Sequence, residues 1–295
     1  MNKLARTVVC TNDIVPDAAQ ERYELDLAFA GSSSGRTELV QRSVCYPWSV
    51  TQPFYDDFQR PNLATIIPQS SSGGLFANEH VSQRVALRDR AEVMLVAQGA
   101  TLVHRQTGER RTRSDWCLSA DSGSRLEVLN DPVVLSANAG LSQSSVIRFG
   151  DGARVLFLYC WTWVVEAGRP AFARYANQID IFDFDGHRLA LERCDISSGE
   201  IERLRAATAR PIAALGVAVV AGDVDAVTAN EALTDTLREI DSGWTGVSTL
   251  PRNAGVVVRT AFSSAAEIRQ WGEQIWRTMR LVDFGVQPER LRRSI

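Results

Sequence analysis

The residues best suited to holding a metal are Asp183-Phe184-Asp185-Gly186, followed by Glu192. Their spacing mimics positions 3, 5, 6 and 12 of a calcium-binding helix-loop-helix loop, where carboxylates supply oxygen ligands and glycine makes the sharp turn. Position 1 would fall on Ile181, which has no ligand atom, and the flanks alternate as strands do. A solvated hairpin turn accounts for these residues better. The three histidines, His80, His104 and His187, are not spaced four residues apart and lie at no short reach of a cysteine. The five cysteines, Cys10, Cys45, Cys117, Cys160 and Cys194, are widely separated, which argues against a zinc site or a disulfide framework and for buried thiols.

Nucleophilic and acid–base chemistry fare no better. No serine occupies a Gly-x-Ser-x-Gly elbow. Glu79 beside His80, Asp131 before Pro132, and Glu166 ahead of Gly168-Arg169-Pro170 are isolated carboxylates with no partner at a telling spacing. Gly31-Ser-Ser-Ser-Gly35 lacks the Lys-Ser/Thr ending and the following helix of a phosphate loop. The basic cluster His104, Arg105, Arg110, Arg111 and Arg113 straddles a turn at Thr107-Gly108 and has no interleaved aromatics. Residue spacing therefore points to no enzyme and no closed metal site.

The elements that would position these groups are mostly strands. Tyr23, Leu25, Leu27 and Phe29 alternate with polar residues, as do Val81, Gln83, Val85 and Leu87. Asp151-Gly152 and Asp185-Gly186 are two-residue hairpin signals. Turn signals recur about every 8–12 residues, the mark of an all-β domain. Two helices are expected near the carboxyl end: one behind a capping box at Thr228-Ala-Asn-Glu231, carrying Leu233, Leu237 and Ile240, and one behind Ser264-Ala-Ala-Glu267, carrying Ile268, Trp271, Ile275, Met279 and Val282 and ending before Gly285. The chain of 295 residues is 45% hydrophobic and 23% charged with a net charge of −3, a profile of a soluble protein with a full core and no bias toward nucleic acid or anionic membrane. Residues 1–20 read as a flexible leader, 21–295 as one continuous domain, and the absence of a long apolar run predicts a cytoplasmic location.

The most constrained stretch runs from Gly35 to Leu75. It contains Gly35-Arg36-Thr37, Pro47-Trp48-Ser49-Val50, Gln52-Pro53-Phe54-Tyr55 and Gly73-Gly74-Leu75. Further along come Gly99-Ala100-Thr101, Leu126-Glu127, Gly168-Arg169-Pro170-Ala171, Gly246-Val-Ser-Thr-Leu-Pro251, Val257-Val258-Arg259, and Trp276 to Arg280. In order and spacing this set resembles the urease accessory protein family called UreD, or UreH in some organisms. The resemblance covers about Tyr23 to Arg280. It departs from the family at Gln52, at Val96-Ala97, at Thr162-Trp163 and at Ala173-Arg174, the last two being places where many members carry a carboxylate. The chain thus reads as a divergent member.

What the resemblance implies is a mainly β, sandwich- or barrel-like body with two carboxyl-terminal helices and no enzymatic activity. It implies partners, namely apo-urease, UreF and the GTPase UreG, and a role in nickel insertion, with nickel in transit rather than tightly bound. Glu79, Glu127 and Glu166 become the candidate functional or passage carboxylates. Gly35, Arg36, Thr37, Pro53, Phe54, Tyr55, Gly73, Gly74, Gly168, Arg169, Pro170, Arg259 and Trp276 become scaffold. The lost carboxylates leave an alternative: a repurposed scaffold serving another metalloenzyme or partner without nickel transfer.

Overall fold

A computed structural model describes residues 22–108, 110–165, 171–208, 211–238, 243–285 and 288. Strands β1 (Arg22–Gly31) and β2 (Thr37–Val44) open the chain, and the short β3 (Trp48–Val50), β4 (Ala64–Ile66) and β5 (Pro68–Ser70) follow. The chain then winds in coils. The first holds β6 (His80–Arg88), β7 (Glu92–Val96) and β8 (Thr101–Val103), and the second β9 (Thr112–Ala120), β10 (Arg125–Leu129) and β11 (Val133–Leu135). A third holds β12 (Gly140–Phe149) and β13 (Arg154–Trp163), and β14 (Arg174–Asp183) begins a fourth. Successive coils stack in parallel: His80 pairs with Arg113, Arg113 with Ser142, and Ser142 with Ala176. Parallel neighbours need a long crossover. Here the crossover is the strand contributed to the opposite sheet.

This winding yields two sheets. A seven-stranded sheet has the order β15-β14-β12-β9-β6-β1-β2, where β15 is Arg188–Ser197. A nine-stranded sheet runs β17-β18-β16-β13-β10-β7-β4, with β11 also pairing with β13 and β8 with β11, where β16 is Ala214–Gly222, β17 Trp244–Thr249 and β18 Gly255–Phe262. The sheets face each other across one core that includes Leu27, Val85, Leu118 and Ile147 from the first and Val93, Val128, Val155 and Val257 from the second. On the outer side of the second sheet lie α2 (Ala226–Arg238) and α3 (Glu267–Phe284), which bury Leu233, Leu237, Trp271 and Ile275 against Leu156, Leu158, Val220 and Val258.

Strand composition follows from this layering. In β6 buried residues alternate with half-buried ones, because one face looks outward. The run from Val155 to Trp161 in β13 is apolar almost throughout, because it sits between the first sheet and the helices. Each large side chain fully buried this way contributes about 1.5–3 kcal/mol.

The mainly β body and both expected helices are present, with several revisions; Ile240 and the expected leader at 1–20 lie outside the described residues. A further helix, α1 (Ser198–Ala207), follows β15 and carries the true capping box: Ser197 caps it, with Glu200 reaching back. The cap of α2 is Asp225, which accepts from the amides of Val227 and Thr228, so the helix starts before Thr228. Ser264 Oγ accepts from the Ala266 amide at 3.3 Å, but the residue flanking α3 is Ala266, which makes no side-chain cap, while Gly285 ends the helix with φ of 65° as anticipated. Asp185-Gly186 does turn an antiparallel hairpin, β14 to β15. Asp151-Gly152 instead carries the chain from one sheet to the other, since β12 and β13 pair with other strands. Cys45, Cys160 and Cys194 are outside any disulfide, but Cys117 is disulfide-bonded, against the expectation of thiols throughout. Among the described residues no helix is long and apolar enough to cross a membrane.

Candidate functional site

The constrained stretch from Gly35 to Leu75 folds onto itself. Tyr55 donates its hydroxyl to the Thr37 carbonyl at 2.6 Å, and the Arg36 guanidinium lies 3.5 Å from the centre of the Tyr55 ring. Thr37 is fully buried, and its hydroxyl accepts from the Glu92 amide at 2.8 Å. Gly35 turns at φ 86° ahead of it. Pro53 leads into Phe54, whose backbone pairs with Thr65 in both directions at 2.8 Å. Two motifs eighteen residues apart are therefore one structural knot.

Gly73-Gly74-Leu75 lies beside β8. The Leu75 amide donates to the Leu102 carbonyl at 2.8 Å, and His104 donates back to Leu75. At Gly74, φ is 137° and a Cβ would sit 2.2 Å from the Leu102 oxygen, so only glycine fits. This approach shapes one wall of a cavity of about 510 Å³ between the two sheets, which Gly99, Ala100 and Thr101 also line. Deeper in, the lining turns polar through Gln83, Ser114, Gln143 and Tyr159. Asp131 is the carboxylate on its wall.

A second cavity, about 520 Å³, opens between β14–β15 and β16–β18. Trp161, Tyr175, Asn177, Cys194, Trp244 and Gly246 line it, with Glu192 and Arg259. Arg259 spans the gap between the sheets as a two-pronged pair with Glu192, with Nε to Oε1 at 2.8 Å and Nη2 to Oε2. That bond raises the Arg259 pKa against the opposing effect of burial. Burial pushes the Cys194 thiol up to about 11, aided by Glu192 and Asp195, so it is neutral at pH 7. Burial likewise raises both Tyr159 and Tyr175, which keep their protons throughout the physiological range. The Asn177 Oδ1 and Ser145 Oγ oxygens are buried without a protein hydrogen-bond partner. Buried polar atoms of this kind require water or a ligand to complete them.

The candidate carboxylates fall in different places. Glu79 folds back to accept from the Phe76 amide at 2.7 Å, and it lies outside the lining of both cavities. Glu127 is buried under α3 and accepts from four donors: Arg280 Nε and Nη2 at 2.7 and 2.8 Å, Trp276 Nε1 at 2.8 Å, and Arg60 Nη1 at 3.3 Å. Arg280 also reaches Asp57 at 2.8 Å. Burial opposes the Arg280 charge, but Glu127 and Asp57 outweigh it and raise its pKa. Trp276 and Leu126-Glu127, two motifs far apart in sequence, thus meet at one buried junction. Glu166, Gly168, Arg169 and Pro170 lie outside the described residues.

The acidic turn does not assemble a calcium loop. Asp183, Asp185 and His187 cluster on the exposed β14–β15 turn, where Asp183 accepts from the His187 amide at 2.8 Å and pairs with its Nδ1 at 3.0 Å. Glu192 is committed to Arg259 instead. The polar lining residues Gln143, Tyr159, Tyr175 and Asn177 were not singled out from sequence. Their one signal was polarity inside the buried strands β12 to β14, as with Gln83, which occupies an apolar phase of the Val81–Leu87 alternation.

A two-sheet coil of stacked strands with helices on one side and a partly polar interior is the class of fold this chain adopts. The chain belongs to the UreD urease accessory protein family, whose profile matches residues 21–294. A urease accessory protein UreD 1 of Methylorubrum extorquens (strain PA1) is 31% identical over 281 residues, covering 92% of each chain. One from Pseudomonas syringae pv. tomato is 28% identical, covering 91% of this chain and 94% of its own. A UreD 2 of a Bradyrhizobium species (strain BTAi1) is 26% identical, covering 92% and 93%.

Proposed function

We propose that this chain is a cytoplasmic, non-catalytic scaffold of urease maturation, which docks apo-urease together with UreF and UreG and passes nickel through the space between its two sheets. The observation that carries this reading is the polar interior. Amide and hydroxyl groups from Gln83, Ser114, Gln143, Tyr159, Tyr175 and Asn177 line two cavities in an otherwise apolar core. A divalent ion in transit needs replaceable oxygen contacts, and a thiolate or imidazole cage would trap it. The neutral Cys194 thiol suits passage better than retention. The repurposed-scaffold reading draws on one fact: Glu192, the carboxylate lining the second cavity, is neutralised by Arg259.

The test is co-expression with the host's urease gene set, capture on a tag carried by this chain, and metal analysis of the captured complex. Recovery of urease with UreF and UreG, and nickel in the urease, supports the proposal. Capture of an unrelated metalloenzyme, or of nothing, supports the alternative.

A further inference from the structure

We propose that the contact between Tyr175 and Gln143 is a gate between the two cavities, which sets how fast an ion crosses from one to the other. This rests on the passage reading above and adds a controlling element to it.

The linings of the two cavities meet at neighbouring residues. On the first sheet Gln143 and Asn177 are register neighbours, yet Gln143 lines the first cavity and Asn177 the second. On the second sheet Tyr159 and Trp161 point the same way along β13, and again one lines each cavity. Tyr175 closes the remaining gap. Its ring stacks on Trp161 at 4.2 Å, and its hydroxyl donates across the boundary to Gln143 Oε1 at 3.3 Å. Tyr159, at the same place, has a buried hydroxyl that interacts with both Gln143 and Tyr175. The closing bond is therefore long and neutral, with a second polar group beside it able to receive Gln143 or Tyr175 when they part. That long neutral bond is the weakest polar link across the boundary, whereas the Arg259–Glu192 pair farther out is bidentate and charge-assisted.

The second cavity also has a place where it can be blocked without disturbing the fold. Gly246 lines it opposite Arg259 in the β17–β18 register, and a Cβ there would meet no atom within 4 Å. Gly246→Trp should fill the cavity from its edge.

The experiment follows nickel bound per urease over time, by atomic absorption on the captured full complex, for four versions of the chain: wild type, Tyr175→Phe, Gln143→Leu and Gly246→Trp. Each is first matched for melting temperature and partner capture. Removing the hydrogen bond from either side should speed delivery by roughly two- to tenfold, the range a single neutral hydrogen bond spans in an equilibrium. Gly246→Trp should slow it at least as strongly. If Gly246→Trp blocks delivery while both gate variants match or fall below wild type, the gate is wrong and the passage stands. If all three deliver nickel at the wild-type rate, the passage itself is wrong and the gate falls with it. Should one gate variant fail to fold, the other still decides, because each removes the same bond.

Discussion

Glu127 accepts from Arg60, Trp276 and Arg280 under α3, so its loss would leave Arg60 with Glu92 and Arg280 with Asp57 as their remaining carboxylate partners. Breaking a buried pair from one side costs about 3–5 kcal/mol. Glu127→Ala should therefore lower stability by that amount in a urea titration, and a cost below about 1 kcal/mol would show that the junction holds nothing. Glu79 is a contrasting case. Its carboxylate closes a local turn on the Phe76 amide, so Glu79→Ala should cost only about 0.5–1.5 kcal/mol, read the same way. Cys194 offers a chemical check on the interior. With its thiol pushed up to about 11, it should resist iodoacetamide at pH 8 and react faster as the pH approaches that value, while exposed Cys45 is modified first. Equal labelling of the two at pH 8 would contradict the burial assigned to β15. From sequence, Glu79 and Glu127 were the same kind of object, an acid beside a motif. Only the fold separates a turn acceptor from a buried counter-ion, because what surrounds them comes from segments as much as 153 residues away.

At the scale of elements, Gly74 fixes how closely the segment after β5 can approach β8. Gly74→Ala should cost about 1–3 kcal/mol through the positive φ and the clash with the Leu102 carbonyl. A melting curve unchanged from wild type would refute that. The caps of α1 and α2 carry a pH dependence with a definite sign. Hydrogen bonds from Ser197 hold the Glu200 pKa below its ordinary 4.5, and those from Thr228 and Val227 hold Asp225 below its ordinary 3.8. Groups with a depressed folded-state pKa stabilise fully above the unfolded value and stop doing so as pH falls through the folded one. Protection of the amides at the amino ends of both helices, taken relative to their intrinsic exchange rate at each pH, should therefore fall below about pH 4 while that of the central strands holds. Strands and their faces were legible in the sequence because period-2 alternation survives wherever one face looks outward, as in β6. The Asp151-Gly152 turn was read correctly as a turn but not as a crossover between sheets. Turn chemistry reports the local bend, and the pairing partner lies a coil away. The α1 helix was missed because its apolar content is slight: Ile201 is its one buried residue.

The whole molecule is a coil of strands whose two sheets leave two cavities between them, with the Arg259–Glu192 pair lining the second and α2 and α3 backing the other side of the second sheet. The family was visible in the sequence as an ordered set of short motifs, and the structure gives a physical reason for that order. Gly35-Arg36-Thr37 meets Tyr55, Gly73-Gly74-Leu75 meets β8 near Gly99-Ala100-Thr101, and Leu126-Glu127 meets Trp276 and Arg280. The polar interior was not visible, because Gln143, Tyr159, Tyr175 and Asn177 come from three strands and share a space only once the coils are stacked. The central claim, a scaffold through which nickel reaches urease, is tested most directly by the nickel content of urease purified from a host lacking this chain, before and after the chain is resupplied. The account predicts urease nearly free of nickel without it and nickel restored with it. Urease that carries the same nickel in both would contradict the account.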